Sequence, residues 1–481
     1  MKSNRRLDVP PGFSRRAFLQ GALAGGAAVV LTPRILRAVV PTSAASRPSG
    51  RVNLACIGIG GQGAGDIRSL AQTGLANIVA LCDTDIGAQP TQQTLRDYPN
   101  VPQFQDFRKM FDKMAKDIDA CLIATPDFSH FPIAMLAMSL GKGVYVEKPM
   151  AHSFRQIQLM MDAEKKYKVA TQMGNQGHSD ANYFQFKAWV EGGIIKNVKK
   201  ITAFMNNSRR WHGKSFNDFL PEEPIPASLD WETWNATAKQ LKYNKGYCVG
   251  EWRSWFELGN GALGDWGAHI FDTCHEFLQL GLPEEVEAVL LEGPSKFIFP
   301  QASTLAFRFP ARGTMPACEL TWYDGQKNLP PLPVDFGGNI VDPNIPPPTS
   351  GTLVAPQGLS PGKVIYGEDL TFKGGTHGST LQIIPQAKAR DIASKLPRVP
   401  QSPSNHYKNF LLAVMGQEKC RSSFEVAGPL SQMMALGCIA QRLGGKIKFD
   451  RATKQITDNK TANDMLAGVP PRKEWEQFYN L

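Results

Sequence analysis

From about residue 50, short apolar runs alternate with helix-compatible amphipathic stretches. Residues 51–57 (Arg-Val-Asn-Leu-Ala-Cys-Ile) lead directly into Gly58-Ile59-Gly60-Gly61-Gln62-Gly63, and a helical segment follows to about Ala71. Further apolar runs at 77–82, 120–124, 143–146 and 169–173 are separated by helical patterns at 107–115, 129–140 and 154–167. Near-continuous apolar strands joined by helices predict a parallel sheet covered on both faces, so an α/β unit is expected over residues 51–175. The pattern then changes to strand signals at 201–205, 286–291, 303–309 and 318–323, which predict a second, α+β unit over residues 176–400. A Pro/Gly-rich stretch at 325–362 (Pro330–Pro333, Pro346–Pro348) reads as a long surface arm. Amphipathic helical signals at 404–414 and 427–443 define a third region, 401–481, expected to pack back near the first domain.

With 481 residues the chain is long enough for two or three such units. Its formal charge of +10 is concentrated at the start, where residues 1–45 carry seven basic side chains and one acidic. What remains has 46 basic against 42 acidic groups, or +4, too little for the basic stripe that nucleic acid requires. That basic leader reads Ser14-Arg15-Arg16-Ala17-Phe18-Leu19, then the apolar run Ala22–Leu31 and the small residues Thr42–Ser46. It resembles a twin-arginine signal peptide, which predicts export in the folded state to the periplasm. Its apolar run is ten residues, short of the roughly 20 that span a bilayer, and no membrane insertion of the mature protein is expected. Eight scattered cysteines show no paired zinc-ligand spacing, and neither a metal nor a disulfide framework is expected.

The glycine run carries the first candidate chemistry. Gly58 permits a tight turn, Gly60 lets backbone approach a pyrophosphate, and Gly63 lets the helix pack on the strand; Gly61 and Gln62 complete the loop at a helix N-terminus suited to an anion. Asp83, 20 residues beyond Gly63 at the end of the next apolar run, suits a ribose diol. Its carboxylate repels a 2′-phosphate, and no Arg lies between it and Arg96, so NAD is favoured over NADP. In parallel sheets ligands lie beyond the C-terminal strand ends, which adds Thr125, Pro126, His130, Glu147 and Lys148 as cofactor candidates. Downstream, Asp265 and His269 stand one helical turn apart in Gly-Asp-Trp-Gly-Ala-His, where the carboxylate is placed to orient the imidazole. Asp265, His269, Asp272 and Glu276 also share the spacing of a metal cluster, a reading weaker than a solvated charged face.

Taken in order, the glycine loop, Asp83, Thr125-Pro126, Glu147-Lys148-Pro149 and Asp265-x-x-x-His269 resemble the glucose-fructose oxidoreductase, inositol dehydrogenase and rhizopine catabolism (Gfo/Idh/MocA) family over about residues 51–330. The resemblance implies an N-terminal Rossmann domain, a C-terminal domain with an open, mostly antiparallel sheet, and a homo-oligomer. It makes Lys148, Asp265 and His269 the catalytic group, with His269 as base, Asp265 holding its ring and Lys148 on the reacting oxygen. It also adds Gln176 near the nicotinamide and His178 near the substrate. Arg253 and the aromatic residues Trp211, Trp231, Trp234 and Trp255 suggest a carbohydrate site, because aromatic faces stack on sugar C–H faces while Arg satisfies hydroxyls. An exported enzyme meets no pool of free NAD, so the cofactor is expected to stay tightly bound. The expected activity is oxidation of a secondary hydroxyl of a sugar or glycoside; the alternatives are a redox-neutral NAD-dependent glycosidase and a noncatalytic carbohydrate- or dinucleotide-binding module.

Overall fold

The computed structural model describes residues 50–333, Phe336 and residues 359–481. The leader at 1–45 and the Pro346–Pro348 part of the arm lie outside the described residues. The first domain is a six-stranded parallel sheet of β1 Val52–Ile57, β2 Ala76–Cys82, β3 Gln103–Phe104, β4 Ala120–Ile123, β5 Gly143–Glu147 and β6 Thr171–Gly174. Their spatial order is β3-β2-β1-β4-β5-β6, the doubly wound arrangement whose chain reverses direction beside β1. Alternation within β1 accounts for its covering on both faces. Ala55 and Ile57 join the large core beneath one face, while Leu54 and Cys56 join a second cluster with Phe410 and Leu411 on the other.

The second domain is a nine-stranded mixed sheet. Its strands are β7 Lys200–Met205, β8 Glu285–Glu292, β9 Ala302–Phe309, β10 Cys318–Asp324, β11 Gly362–Tyr366, β12 Thr371–Gly374, β13 Gln382–Ile384, β14 Gly445–Asp450 and β15 Gln455–Ile456. The order is β13-β12-β11-β7-β10-β9-β8-β14-β15, with β7 and β10 parallel and the other pairs antiparallel.

Helix Phe424–Leu443 ties the two sheets together by close contact at glycines: a Cβ on Gly428 would meet Met161, and one on Gly437 would meet Leu263 and Phe307. Helix Phe154–Tyr167 starts at a capping box in which Ser153 and Gln156 satisfy each other's backbone N–H groups. Between β7 and helix Gly261–Ile270 the chain crosses back over the first domain. Asp230 N–H donates to Thr84 O at 2.8 Å, and Gln105 Nε2 donates to Ser228 O at 2.6 Å. This crossing segment closes the mouth of the parallel sheet at its C-terminal edge. Among the described residues no helix is long and apolar enough to cross a membrane.

Candidate active site

A cavity of about 580 Å³ lies between the C-terminal edge of the parallel sheet and the crossing segment. Gly58, Gly60, Gly61, Gln62, Asp83, Thr125, Pro126, Glu147 and Lys148 line one side; Arg210, Trp234, Trp252, Arg253 and Asp265 line the other.

The floor has the form of a phosphate cradle. Helix Gln62–Gln72 begins at Gly61 with no side-chain cap and no acidic residue in its first turn, which leaves its N–H groups for an anion. Gly61 has φ +52° and nothing within 4 Å of where a Cβ would stand. A Cβ on Gly60 would press on Pro90 at 3.0 Å, and one on Gly63 would lie 2.0 Å from Gly58 O. Close helix packing is therefore the duty of Gly63, which lies beneath the loop, while Gly61 offers the open approach assigned from the sequence to Gly60. Asp83 accepts from Ile59 N–H at 3.0 Å and from Asp85 N–H at 3.1 Å, so it ties the glycine loop to the end of β2 while facing the cavity. Burial raises its carboxyl to about 6 against these two bonds. Glu147 accepts from Gln176 Nε2 at 2.8 Å, and burial together with nearby Asp66 holds it well above the usual carboxylate range. Asp66 in turn accepts from Gln62 and from Tyr407, both at 2.8 Å. These residues suit a dinucleotide: open backbone N–H groups for a pyrophosphate, and a carboxylate at the second strand end for a ribose.

At the other end Lys148 Nζ donates to Asp265 Oδ1 at 2.6 Å and to Asp265 O at 3.1 Å. Arg209 donates to Asp265 Oδ2 at 3.1 Å, and Arg253 Nε stands 3.6 Å from Oδ1. Burial alone would raise the Asp265 carboxyl, yet Lys148, Arg253 and Arg209 hold it well below its ordinary value. Asp127, at the start of helix Asp127–Ser139, accepts from Asn260 N–H at 3.1 Å, and burial pushes it up to about 7.

Several assignments from the sequence need correction. Asp265 does not hold the His269 ring, because both its oxygens are taken by cations, which attract an ionised carboxylate more strongly than a neutral imidazole does. His269 instead stacks on His377 with ring centroids 3.9 Å apart, and no described residue hydrogen-bonds its ring, whose buried Nδ1 has no partner. Burial and the charge of Lys148 hold it well below the ordinary histidine value. His178 lies outside the cavity lining, fully buried between Asp272 Oδ2 at 2.8 Å and Arg421 O at 3.0 Å. Burial opposes its charge, but Asp272 and Glu276 raise it to about 10, so it is a structural imidazolium. Trp211 is buried against Phe299 and donates to Pro300 O at 2.9 Å, which removes it from sugar stacking. Trp255 is likewise buried against Phe216 and Tyr247. His130 sits behind the cavity, its ring nitrogens 2.9 Å from Pro149 O and 2.8 Å from Thr125 O, where it fixes the two strand-end loops. Gln176 reaches the cavity only through Glu147. Among the described residues no three His, Cys, Asp or Glu side chains gather as a metal site. The sequence reading missed Arg209, Arg210 and Asp127; only the position of Asp127 after Thr125-Pro126 marked it.

A dinucleotide cradle facing a buried lysine–aspartate pair across one cavity defines the framework of a two-domain dinucleotide-binding protein. Residues 52–175 match the Gfo/Idh/MocA model described as an oxidoreductase family, NAD-binding Rossmann fold, and residues 185–290 match that family's C-terminal alpha/beta domain. The two matched segments stand in that family's order, Rossmann domain first and C-terminal domain second. The chain is similar to a glycosyl hydrolase family 109 protein of Shewanella amazonensis, 31% identical over 31% of this chain and 36% of the relative. It is also similar to an inositol 2-dehydrogenase of Salmonella paratyphi B, 28% identical over 36% of this chain and 48% of the relative. The aligned parts thus span less than half of these curated relatives. The fold resembles the WlbA dehydrogenase of Chromobacterium violaceum, solved with NADH and UDP-GlcNAcA, with a TM-score of 0.56 and 14% identity over 86% of this chain and 99% of that one.

Proposed function

We propose that the protein oxidises a secondary hydroxyl of a sugar or glycoside, using an NAD held in the cavity throughout turnover. The single observation that carries this reading is the placement of the glycine cradle and the Lys148–Asp265 pair on one continuous cavity. When bound, NAD supplies the acceptor for the hydride leaving the carbinol carbon. Lys148, aimed by Asp265, holds the reacting oxygen; His269, outside the cavity lining and kept neutral by burial and by Lys148, is the base that the family resemblance assigns to the hydroxyl proton. Asp265 acts as a positioning residue for Lys148. The crossing segment, contributing Trp234, Trp252 and Arg253 to the wall, excludes water and retains the coenzyme. In this reading the leader directs folded export to the periplasm, where retention is required, and the protein is a homo-oligomer.

The relative named as a family 109 glycosyl hydrolase favours a second reading, in which oxidation is transient and the same residues return the electrons after the glycosidic bond is eliminated. Product analysis by mass and NMR over a glycoside panel, with and without an external carbonyl acceptor, separates the two. A keto-sugar formed only with the acceptor supports the dehydrogenase. Free monosaccharide without any acceptor selects the glycosidase, and no product under either condition defeats both.

A further inference from the structure

The substrate end of the cavity carries more positive charge than the residues around it neutralise. Four cations converge there: Lys148, Arg209, Arg210 and Arg253. The ionised carboxylate among them is Asp265, reached by Lys148 at 2.6 Å, Arg209 at 3.1 Å and Arg253 at 3.6 Å. Glu251 does not make up the difference, because Lys214 takes it at 2.9 Å while Arg210 stands 3.9 Å away. Asp127 is pushed up to about 7 by burial, and so supplies at most part of a charge at neutral pH. Asp83 and Asp85 face the cavity from the β2 end, tied to backbone N–H groups there.

The guanidinium groups also repel one another. Burial, with the charges of Arg210 and Arg253, holds Arg209 below its ordinary value despite Asp265. Among the described residues, neither Arg210 nor Arg253 donates a side-chain hydrogen bond, yet both line the cavity. Arg253 is held against Trp252, its Cζ over the ring and 4.1 Å from the centroid. A planar fork with undelivered donors, fixed by stacking beside excess positive charge, is the arrangement that binds an oxyanion in two places at once.

We propose that the carbohydrate taken by this site bears an anionic group, a carboxylate or a phosphate, held by Arg253 and Arg210 beside the Lys148–Asp265 pair. This rests on the oxidoreductase reading above for where the sugar lies, and it adds the class of sugar. The anion fixes the ring's orientation, and so which hydroxyl meets Lys148.

The test uses coenzyme-loaded, full-length protein and equilibrium binding by calorimetry, which does not depend on turnover. The probes are methyl glucoside, its 6-carboxylate (methyl glucuronoside) and its 6-phosphate. The expected result is binding of one or both anionic sugars about 10–100-fold tighter than the neutral one, as a charge-assisted pair gives. The carboxylate and phosphate arms identify the source of the charge. The ratio of anionic to neutral affinity should collapse in Arg253→Gln, and fall in Arg210→Gln, whose exposed side chain keeps the test available if the first variant does not fold. Equal binding of charged and neutral probes, or of none of them, overturns the proposal. So does loss of bound dinucleotide in Arg253→Gln with the ratio intact, which assigns the charge to the pyrophosphate. Absence of any hydride transfer with tight, anion-selective binding retained would defeat the oxidoreductase reading alone.

Discussion

Asp265→Asn tests the hub of the site. The carboxylate is 16% exposed and sits among Lys148, Arg209 and Arg253, whose side chains are 14%, 12% and 25% exposed. Each pair at about 4 Å is worth up to about 4 kcal/mol at an effective dielectric of about 20, offset by the desolvation of both partners. Breaking a buried pair leaves the cations uncompensated at about 3–5 kcal/mol. The opening towards the cavity places the expected loss at the lower end, about 3 kcal/mol. At roughly 2 °C per kcal/mol for a chain of this size, the melting temperature falls by about 6 °C at pH 7. The folded carboxyl lies below its unfolded value of about 3.9, so its contribution is fully present above that pH and is lost as the pH falls below it. The gap between parent and variant therefore closes in acid. Turnover falls about 10²–10⁴-fold, because Lys148 loses the group that aims it. Thermal unfolding between pH 3 and 8, with kcat and KM measured alongside, provides the assay. A variant that melts within about 1 °C of the parent at pH 7 and keeps its turnover would refute the reasoning.

Gly63→Ala forces a Cβ to within 2.0 Å of Gly58 O, so the glycine loop must shift; a loss of about 1–3 kcal/mol and of co-purified NAD is expected, read by denaturant melts and by dinucleotide content after acid release. His178→Gln breaks a buried ion pair with Asp272 and should cost about 3–5 kcal/mol in urea unfolding while leaving substrate KM unchanged; a raised KM without lost stability would contradict its structural role. Asp127, raised to about 7 from an unfolded value of about 3.9, contributes stability that is present in acid and lost as the pH rises through about 7. Asp127→Asn should therefore reduce the fall in unfolding free energy between pH 5 and pH 8, and an unchanged difference would show that Asp127 is not the titrating group.

The parallel sheet was legible because burial on both faces produces unbroken apolar runs, as in β4, where all four residues are buried. The two-residue strand β3 is too short to show any period, and β11–β13 lie beyond the Pro/Gly-rich stretch, where the apolar pattern is interrupted. Lys148 and Asp265 were each marked by local motifs, yet their contact spans 117 positions and pairs them with each other rather than Asp265 with His269. Helical spacing told which residues share a face; it did not tell that a lysine and two arginines from other segments would compete for the carboxylate. Tryptophan content signalled an aromatic region, but not which rings face the cavity. Trp234 and Trp252 do, while Trp211 and Trp255 fill the core. Arg209 and Arg210 gave no sequence signal, since their role arises only when the crossing segment folds over the first domain.

The proposed reaction brings a sugar alcohol and a retained nicotinamide together at Lys148. The most direct measurement is a single turnover of coenzyme-loaded protein with a sugar deuterated at each secondary carbinol position, stopped at early times and analysed for label in the dinucleotide. Deuterium is expected in the reduced coenzyme from one ring position and is expected to be absent in Lys148→Met. Product formation with no label ever reaching the dinucleotide would contradict that reaction.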